Sequence, residues 1–232
     1  NWIENFNPFS GKSFSEGNSW QYSWYVPHDI PGLVNLIGME TFNSRLEDGF
    51  IKSEKNGFTA HAFDRSRKTI HEYYVNHGNQ ANMQAAFLFN YSGKPWMTQK
   101  YSRAILKTFY GSTPYHGWDG DEDEGQMGAW FVMTSIGFFE MNGGTSSDLS
   151  IDLTSPLFEK ITITLNPEYY PGKEFIIETK NNSKVNLYIQ SVWLNGKLLE
   201  KPKISFKDII NGGTLIYEMG NKPSKFGIIS TN

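Results

Sequence analysis

Residues 118–130 read WDGDEDEGQMGAW. Four adjacent carboxylates, Asp121, Glu122, Asp123 and Glu124, stand one glycine beyond Asp119, and the chain then turns apolar through Ala129, Trp130, Phe131, Val132 and Met133. A helix start explains one or two of the acids, because the helix dipole favours negative charge there and Asp is a good N-cap. Four are harder to place, since like charges at contact range stay ionised only at a cost. Either some take up protons at raised pKa, or a cation sits among them. Asp119, Asp121 and Asp123 have the D-x-D-x-D spacing of a calcium loop, but Glu124 stands where that loop needs Gly and Trp130 where it needs a bidentate Glu, so this is no EF-hand. What remains is a carboxylate cluster at a buried helix start, suited to a bound cation or to paired acid–base work.

Two other polar knots have chemical potential. In SEGNSWQYSWYVPHD, residues 15–29, the single Glu16 sits among Trp20, Tyr22, Trp24 and Tyr25. Aromatic surroundings destabilise an ionised carboxylate and raise its pKa, as a general acid requires. Equally, Glu16 is a solvated residue or a cap of the next helix. In HGNQ, residues 77–80, amide and backbone oxygens are the hard ligands that suit calcium, while Asn79 is also a plausible N-cap.

The elements that must position these knots fall into two textures. Six of the seven Trp and 13 of the 17 Phe precede residue 140. Asp29 as N-cap with Pro31 in the first turn predicts a short helix, broken at Gly38 and followed by a second. NQANMQAAFLFNYSG predicts a helix closed by Gly93, and KPWMTQKYSRAILKTFYG another closed by Gly111. From about Glu122 to Gly137 a further helix is expected, apolar nearly all round and therefore buried. Beyond Gly143, KITITL, KEFIIETK, VNLYIQSVWLNGKLL and GTLIYEM alternate and favour β-branched residues, with Asn195-Gly196 a strong hairpin turn. That half reads as an antiparallel sandwich or jelly-roll-like module.

Bulk properties narrow the classes. The chain has 232 residues, enough for one large domain or two modest ones, and a formal net charge of −3 with no basic stripe, which argues against nucleic acid as partner. There is no Cys, which removes disulfides, zinc–thiolate sites and thiol nucleophiles together. No apolar run reaches the length of a membrane helix. The chain opens at Asn1 without Met or signal peptide, as a mature form, a fragment or a trimmed piece would. Aromatics at 16% suit stacking on sugar faces, and suit a large core equally well.

Taken in order, EGNSWQYSWYVPHD, HGNQ, NYSGKPWMTQ, GDEDEGQMGAWFVMTSIGFF and the later SPLF with its following strand resemble the family 92 glycoside hydrolases, calcium-dependent exo-acting α-mannosidases of bacteria. The resemblance spans from about Glu16 to the strands near Gln190. It implies a mixed α and β fold: the C-terminal half of an (α/α)6 toroid over residues 1–142, then an antiparallel β-sandwich over 143–232. It implies release of terminal α-linked mannose with inversion. Glu16 is then the general acid, Asp121 and Asp123 the candidates for base, and the two carboxyls stand about 6.5–9.5 Å apart with a water between. It further implies Ca2+ held by Asn79, Gln80 and Asp123 against the mannose diol, and substrate contacts from Trp20, His77 and Trp118.

A complete toroid needs twelve helices and about six are legible, so the expected partner is the N-terminal portion of the same enzyme or a second copy. Mannose-containing glycans are the expected substrates, in a secreted or periplasmic setting. Met83 and Gln84 replace a His pair found in some relatives, so linkage preference does not carry over. The alternative is a non-catalytic carbohydrate-binding or structural fragment of a larger mannosidase.

Overall fold

The computed structural model describes residues 5–59, 74–120 and 122–228. Helices dominate the first half: α1 (Ser19–Tyr22), α2 (Ile30–Ile37), α3 (Met39–Glu54), α4 (Gln80–Met83), a 3-10 helix (Ala85–Asn90), α5 (Pro95–Thr108) and α6 (Gln126–Ser135). Asp29 caps α2 as expected, its carboxylate accepting from the Gly32 N–H at 2.9 Å, with Pro in the first turn. Gly38, at φ 85°, breaks the chain between α2 and α3. A left-handed backbone here is open to Gly without steric cost.

Two helix expectations are revised. NQANMQAAFLFN does not form one α-helix; a single α-turn passes into the 3-10 helix, which is wholly buried. α6 starts at Gln126 and not near Glu122. Gly125 at φ 86° precedes it, and Asp123 and Glu124 have φ of 40° and 61°. Right-handed helix cannot run through positive φ, so the carboxylates occupy a turn ahead of the helix. Nor is α6 buried all round: Met127 and Trp130 face the core, whereas Phe131 and Val132 are exposed.

The second half contains β1 (Phe138–Phe139), β2 (Ser150–Leu153), β3 (Lys160–Thr164), β4 (Glu174–Lys180), β5 (Tyr188–Leu194), β6 (Lys197–Leu198), β7 (Lys203–Ser205), α7 (Phe206–Ile210) and β8 (Gly213–Gly220). One sheet runs β1-β2-β7 and the other β3-β4-β8-β5-β6. Residues of both sheets, among them Phe138, Leu153, Phe175, Val192, Leu215 and Tyr217, share one apolar cluster, as the layers of a sandwich do. The pairing is mixed, since β4 and β8 run parallel, Phe175 opposite Gly213. The Asn195-Gly196 turn joins β5 to β6 as its sequence predicts, with φ of 49° and 78°.

A separate apolar cluster fills the helical half, built on Trp24, Phe42, Leu46, Phe50, Phe87, Phe89, Tyr101 and Trp130. Polar groups join the halves. Gln99 on α5 accepts from the Ile189 N–H at 2.9 Å, Ser102 meets Thr154 at 2.6 Å, and Arg103 donates to Ser155 at 2.9 Å and to Asn182.

Candidate active site

Residues far apart in sequence converge on the loop 76–79. Its first fastening is to the helical core: the His77 N–H donates to the Phe58 carbonyl at 2.7 Å. Its second is Asn82 on α4, whose Oδ1 accepts from the Asn76 N–H at 3.0 Å while its Nδ2 donates to the Gln21 carbonyl at 3.0 Å on α1. One buried side chain thereby ties the HGNQ segment to the WQY helix of the first motif. The third fastening is the Asn79 side-chain amide, which donates to the backbone carbonyl of Glu16. Asn79 also caps α4, as the sequence suggested, accepting from the Ala81 N–H at 3.4 Å.

His77 is 0% exposed. Tyr110 donates its hydroxyl proton to the Met127 carbonyl at 3.1 Å. The 2.9 Å contact between Tyr110 Oη and His77 Nε2 is therefore donated by His77, which fixes the proton on Nε2 and leaves the buried Nδ1 without a partner among the described residues. Burial pushes the His77 pKa down to about 3, so the ring is neutral. Trp130 lies edge-on to it at 4.2 Å and donates its indole N–H to the Met83 carbonyl at 3.0 Å. The ring of His77 thus joins the loop to α6, the helix that follows the carboxylates.

The carboxylate turn meets the same loop at the backbone, where Gly78 and Gly120 pack against each other. Asp119, Asp123 and Glu124 are exposed, whereas Glu122 is half-buried. Its Oε1 accepts from the Gly128 N–H at 3.1 Å, and its Oε2 is buried without a partner among the described residues. Burial, then the nearby Glu122 carboxylate, push the Tyr110 hydroxyl upward. Trp118 is 41% exposed and leans on Tyr110, ring centroids 6.4 Å apart.

The residues singled out from the sequence therefore fall in three places. Glu16, Asn79 and Gln80 lie around the central loop, with Glu16 exposed and at φ 56°. Asp123 and Trp118 lie on the exposed turn beside it; Asp121 is outside the described residues. Trp20 and His77 are buried. Trp20 stacks edge-on with Trp24 and Tyr74 and rests on Gly49 of α3, where a Cβ would come within 2.5 Å of the indole. Glu16, Asp123 and Glu124 all hold left-handed backbone, which non-glycine residues adopt at a cost and which gathers at functional sites. Glu122 was read only as a member of the carboxylate run, without a role of its own, and Asn82, Tyr110, Gly78 and Gly120 were not singled out. Of these four, only the glycines had a local signal, as small residues flanked by polar ones.

The donors here are carboxylate and amide oxygens, the chemistry of a calcium site. The partnerless Glu122 Oε2 fits a nearby cation. Among the described residues no three His, Cys, Asp or Glu side chains cluster as a metal site.

The profile of the glycosyl hydrolase family 92 catalytic domain matches residues 1–221. A family GH92 α-mannosidase of Bacteroides thetaiotaomicron, solved in complex with mannoimidazole, superposes with a TM-score of 0.81 at 30% identity, covering 99% of this chain and 30% of that one. A family GH92 inverting mannosidase of the same species gives 0.79 at 31% identity, covering 99% of this chain and 31% of the other. An uncharacterized secreted glycosidase of Arthroderma benhamiae is 29% identical over 216 residues, 91% of this chain and 24% of that protein. The chain thus spans between about a quarter and a third of the length of these relatives.

Proposed function

The chain belongs to glycosyl hydrolase family 92, and on that premise we propose that it carries the acid and base loops of an exo-acting α-mannosidase that inverts configuration. One observation carries the reading. The Glu16 segment and the carboxylate turn, separated by about a hundred residues of sequence, are both held to the single loop 76–79. Acid and base must face each other across a sugar with a water between, and a shared scaffold is how such spacing is kept.

In this reading Glu16 protonates the leaving oxygen, and Asp121 or Asp123 takes a proton from the attacking water. Bond cleavage at the anomeric carbon then proceeds with the water arriving from the opposite face. Trp118 offers an exposed ring face to a sugar. Trp20 and His77 act from inside, holding the loops in place. Asn79, Gln80 and Asp123 are the oxygen donors for calcium. When bound, the ion would supply positive charge that offsets the repulsion among the carboxylates and a coordination site for sugar hydroxyls.

Substrates are mannose-containing glycans and the protein is exported; no helix among the described residues is long and apolar enough to cross a membrane. The second reading, a non-catalytic or structural part of a longer mannosidase, is favoured by the short span of the chain against its relatives.

The test is hydrolysis of aryl α-mannosides, by this chain and by the protein as its gene encodes it, with the anomer released followed by NMR. Release of β-mannose supports the proposal, α-mannose refutes inversion, and activity confined to the gene-encoded protein supports the second reading for the isolated chain.

A further inference from the structure

Where the HGNQ loop meets the carboxylate turn, both backbones are glycine. A Cβ on Gly120 would collide with the Gly78 carbonyl oxygen and lie 2.8 Å from Gly78 Cα. A Cβ on Gly78 would lie 2.8 Å from the Asp119 carbonyl oxygen. Gly120 also has φ of 103°, outside the range of L side chains, whereas Gly78 is held there by contact alone. The two chains touch main chain to main chain, and neither tolerates a methyl group between them.

What flanks the crossing gives it meaning. One residue past Gly78 is Asn79, whose amide holds the Glu16 carbonyl. One residue past Gly120 the carboxylate run begins. The crossing is thus a short physical link between the segment of the candidate acid and that of the candidate bases. We propose that Gly78 and Gly120 are paired positioning residues, whose backbone contact sets the spacing between the Glu16 loop and the carboxylate turn. The inference rests on the roles proposed for Glu16, Asp121 and Asp123.

The two sides are not equally yielding. Loop 76–79 is fastened by the Phe58 carbonyl at 2.7 Å, by Asn82 at 3.0 Å and by the Tyr110–His77 contact at 2.9 Å. The turn is exposed on Asp119, Gly120, Asp123 and Glu124, and is next secured by the Glu122–Gly128 bond at 3.1 Å. A methyl inserted at the crossing therefore displaces the carboxylate side. Water activation suffers, while the acid stays in place.

The test uses the protein as its gene encodes it, with Gly120→Ala and Gly78→Ala, and Gly172→Ala as control. A Cβ on Gly172 meets Asn211 C and Gly212 N at 2.5 Å, a comparable backbone clash in the β half. A displacement of about 1 Å at a reacting centre costs on the order of 10²-fold. Gly120→Ala should lose about that much in kcat, equally for good and poor leaving groups, with KM rising as well because Asp123 and Trp118 move with the turn. Gly78→Ala should do the same, and Gly172→Ala should lose stability but not kcat. Wild-type kcat in folded Gly120→Ala and Gly78→Ala overturns the proposal, as does an equal loss in Gly172→Ala. Failure of both site variants to fold, where Gly172→Ala folds, makes the crossing a folding requirement and overturns it too. A crystal structure of either folded site variant reads the spacing directly: the turn moves away from an unmoved HGNQ loop, or the proposal fails. If the wild-type protein does not hydrolyse mannosides, the functional reading falls and that spacing measurement decides this inference alone.

Discussion

Asn90 donates its side-chain amide to Asp152 Oδ1 at 3.1 Å, across the seam between the helical half and the strands. Tyr91 donates its hydroxyl to the other carboxylate oxygen at 2.9 Å, and Lys203 stands 3.6 Å from it while lying over the Tyr91 ring at 3.8 Å. The seam is therefore closed around one buried carboxylate. Burial pushes the Asp152 pKa up from 3.8 to about 6, against the opposing pull of Lys203, Asn90 and Tyr91.

A native state that holds this proton more tightly than the unfolded chain is favoured at low pH. The contribution of Asp152 is complete below its unfolded value of 3.8 and is lost as pH rises through about 6. Asp152→Asn should abolish that loss, so the variant gains on wild type between about pH 4 and pH 7, at no more than about 1.4 kcal/mol per pH unit. Urea unfolding across that range measures it, and parallel curves would show that Asp152 does not titrate there. Asp152→Ala, which leaves the Asn90 and Tyr91 donors unsatisfied, should cost about 1–3 kcal/mol below about pH 4, and less as pH rises, because alanine, like asparagine, no longer titrates.

Glu16→Gln should remove turnover of mannosides with poor leaving groups, by about 10²–10⁴-fold, and spare those with good ones. A leaving oxygen that is already stable as an anion needs no proton. Equal loss on both substrate types would assign Glu16 another task.

Calcium should bind through the Asp123, Asn79 and Gln80 oxygens. A ligand at a hundredfold excess over its Kd stabilises by about 2.7 kcal/mol. EDTA should therefore lower the melting temperature and added calcium should restore it, with Asp123→Asn blunting the response. Unchanged melting and activity in EDTA would refute the assignment.

Apolar side chains stand in the open on several helices of the first half. Val132 on α6 is 57% exposed, Ile51 on α3 54% and Leu36 on α2 85%. Such surface is costly in water and commonly marks an interface. The isolated chain is expected to self-associate, and Phe131→Ser with Val132→Ser to reduce this. Light scattering after size exclusion is the measurement, and a monodisperse, fully active monomer of the isolated chain would contradict the half-toroid reading.

Local signals were legible in the sequence and distant ones were not. The Asp29 cap, the Gly38 break and the Asn195-Gly196 turn each depend on a few adjacent residues, and each forms as read. β1, β2 and β7 have no such mark: β1 is the end of an apolar run, and β2 exists because Ile151 pairs with Ile204 some fifty residues on. The carboxylates were read as a helix start because acidic residues suit one, but left-handed backbone at Asp123, Glu124 and Gly125 turns the chain first. Asn82 and Asp152 were invisible because a polar residue does not announce a partner 61 or 62 residues away.

The sheet order has a consequence for how the molecule is made. β8, the last strand in the sequence among the described residues, lies at the centre of its sheet, with β4 on one side and β5 on the other. Until Gly213–Gly220 has left the ribosome, the β3–β4 and β5–β6 pairs are two unjoined hairpins, each showing a bare edge to the cell. Chains emerge at about 5–20 residues per second, and unpaired edges are where nascent chains stick to one another. Synthesis itself thus opens a window of vulnerability that lasts until β8 is paired, and a stop codon before Gly213 would leave it open permanently.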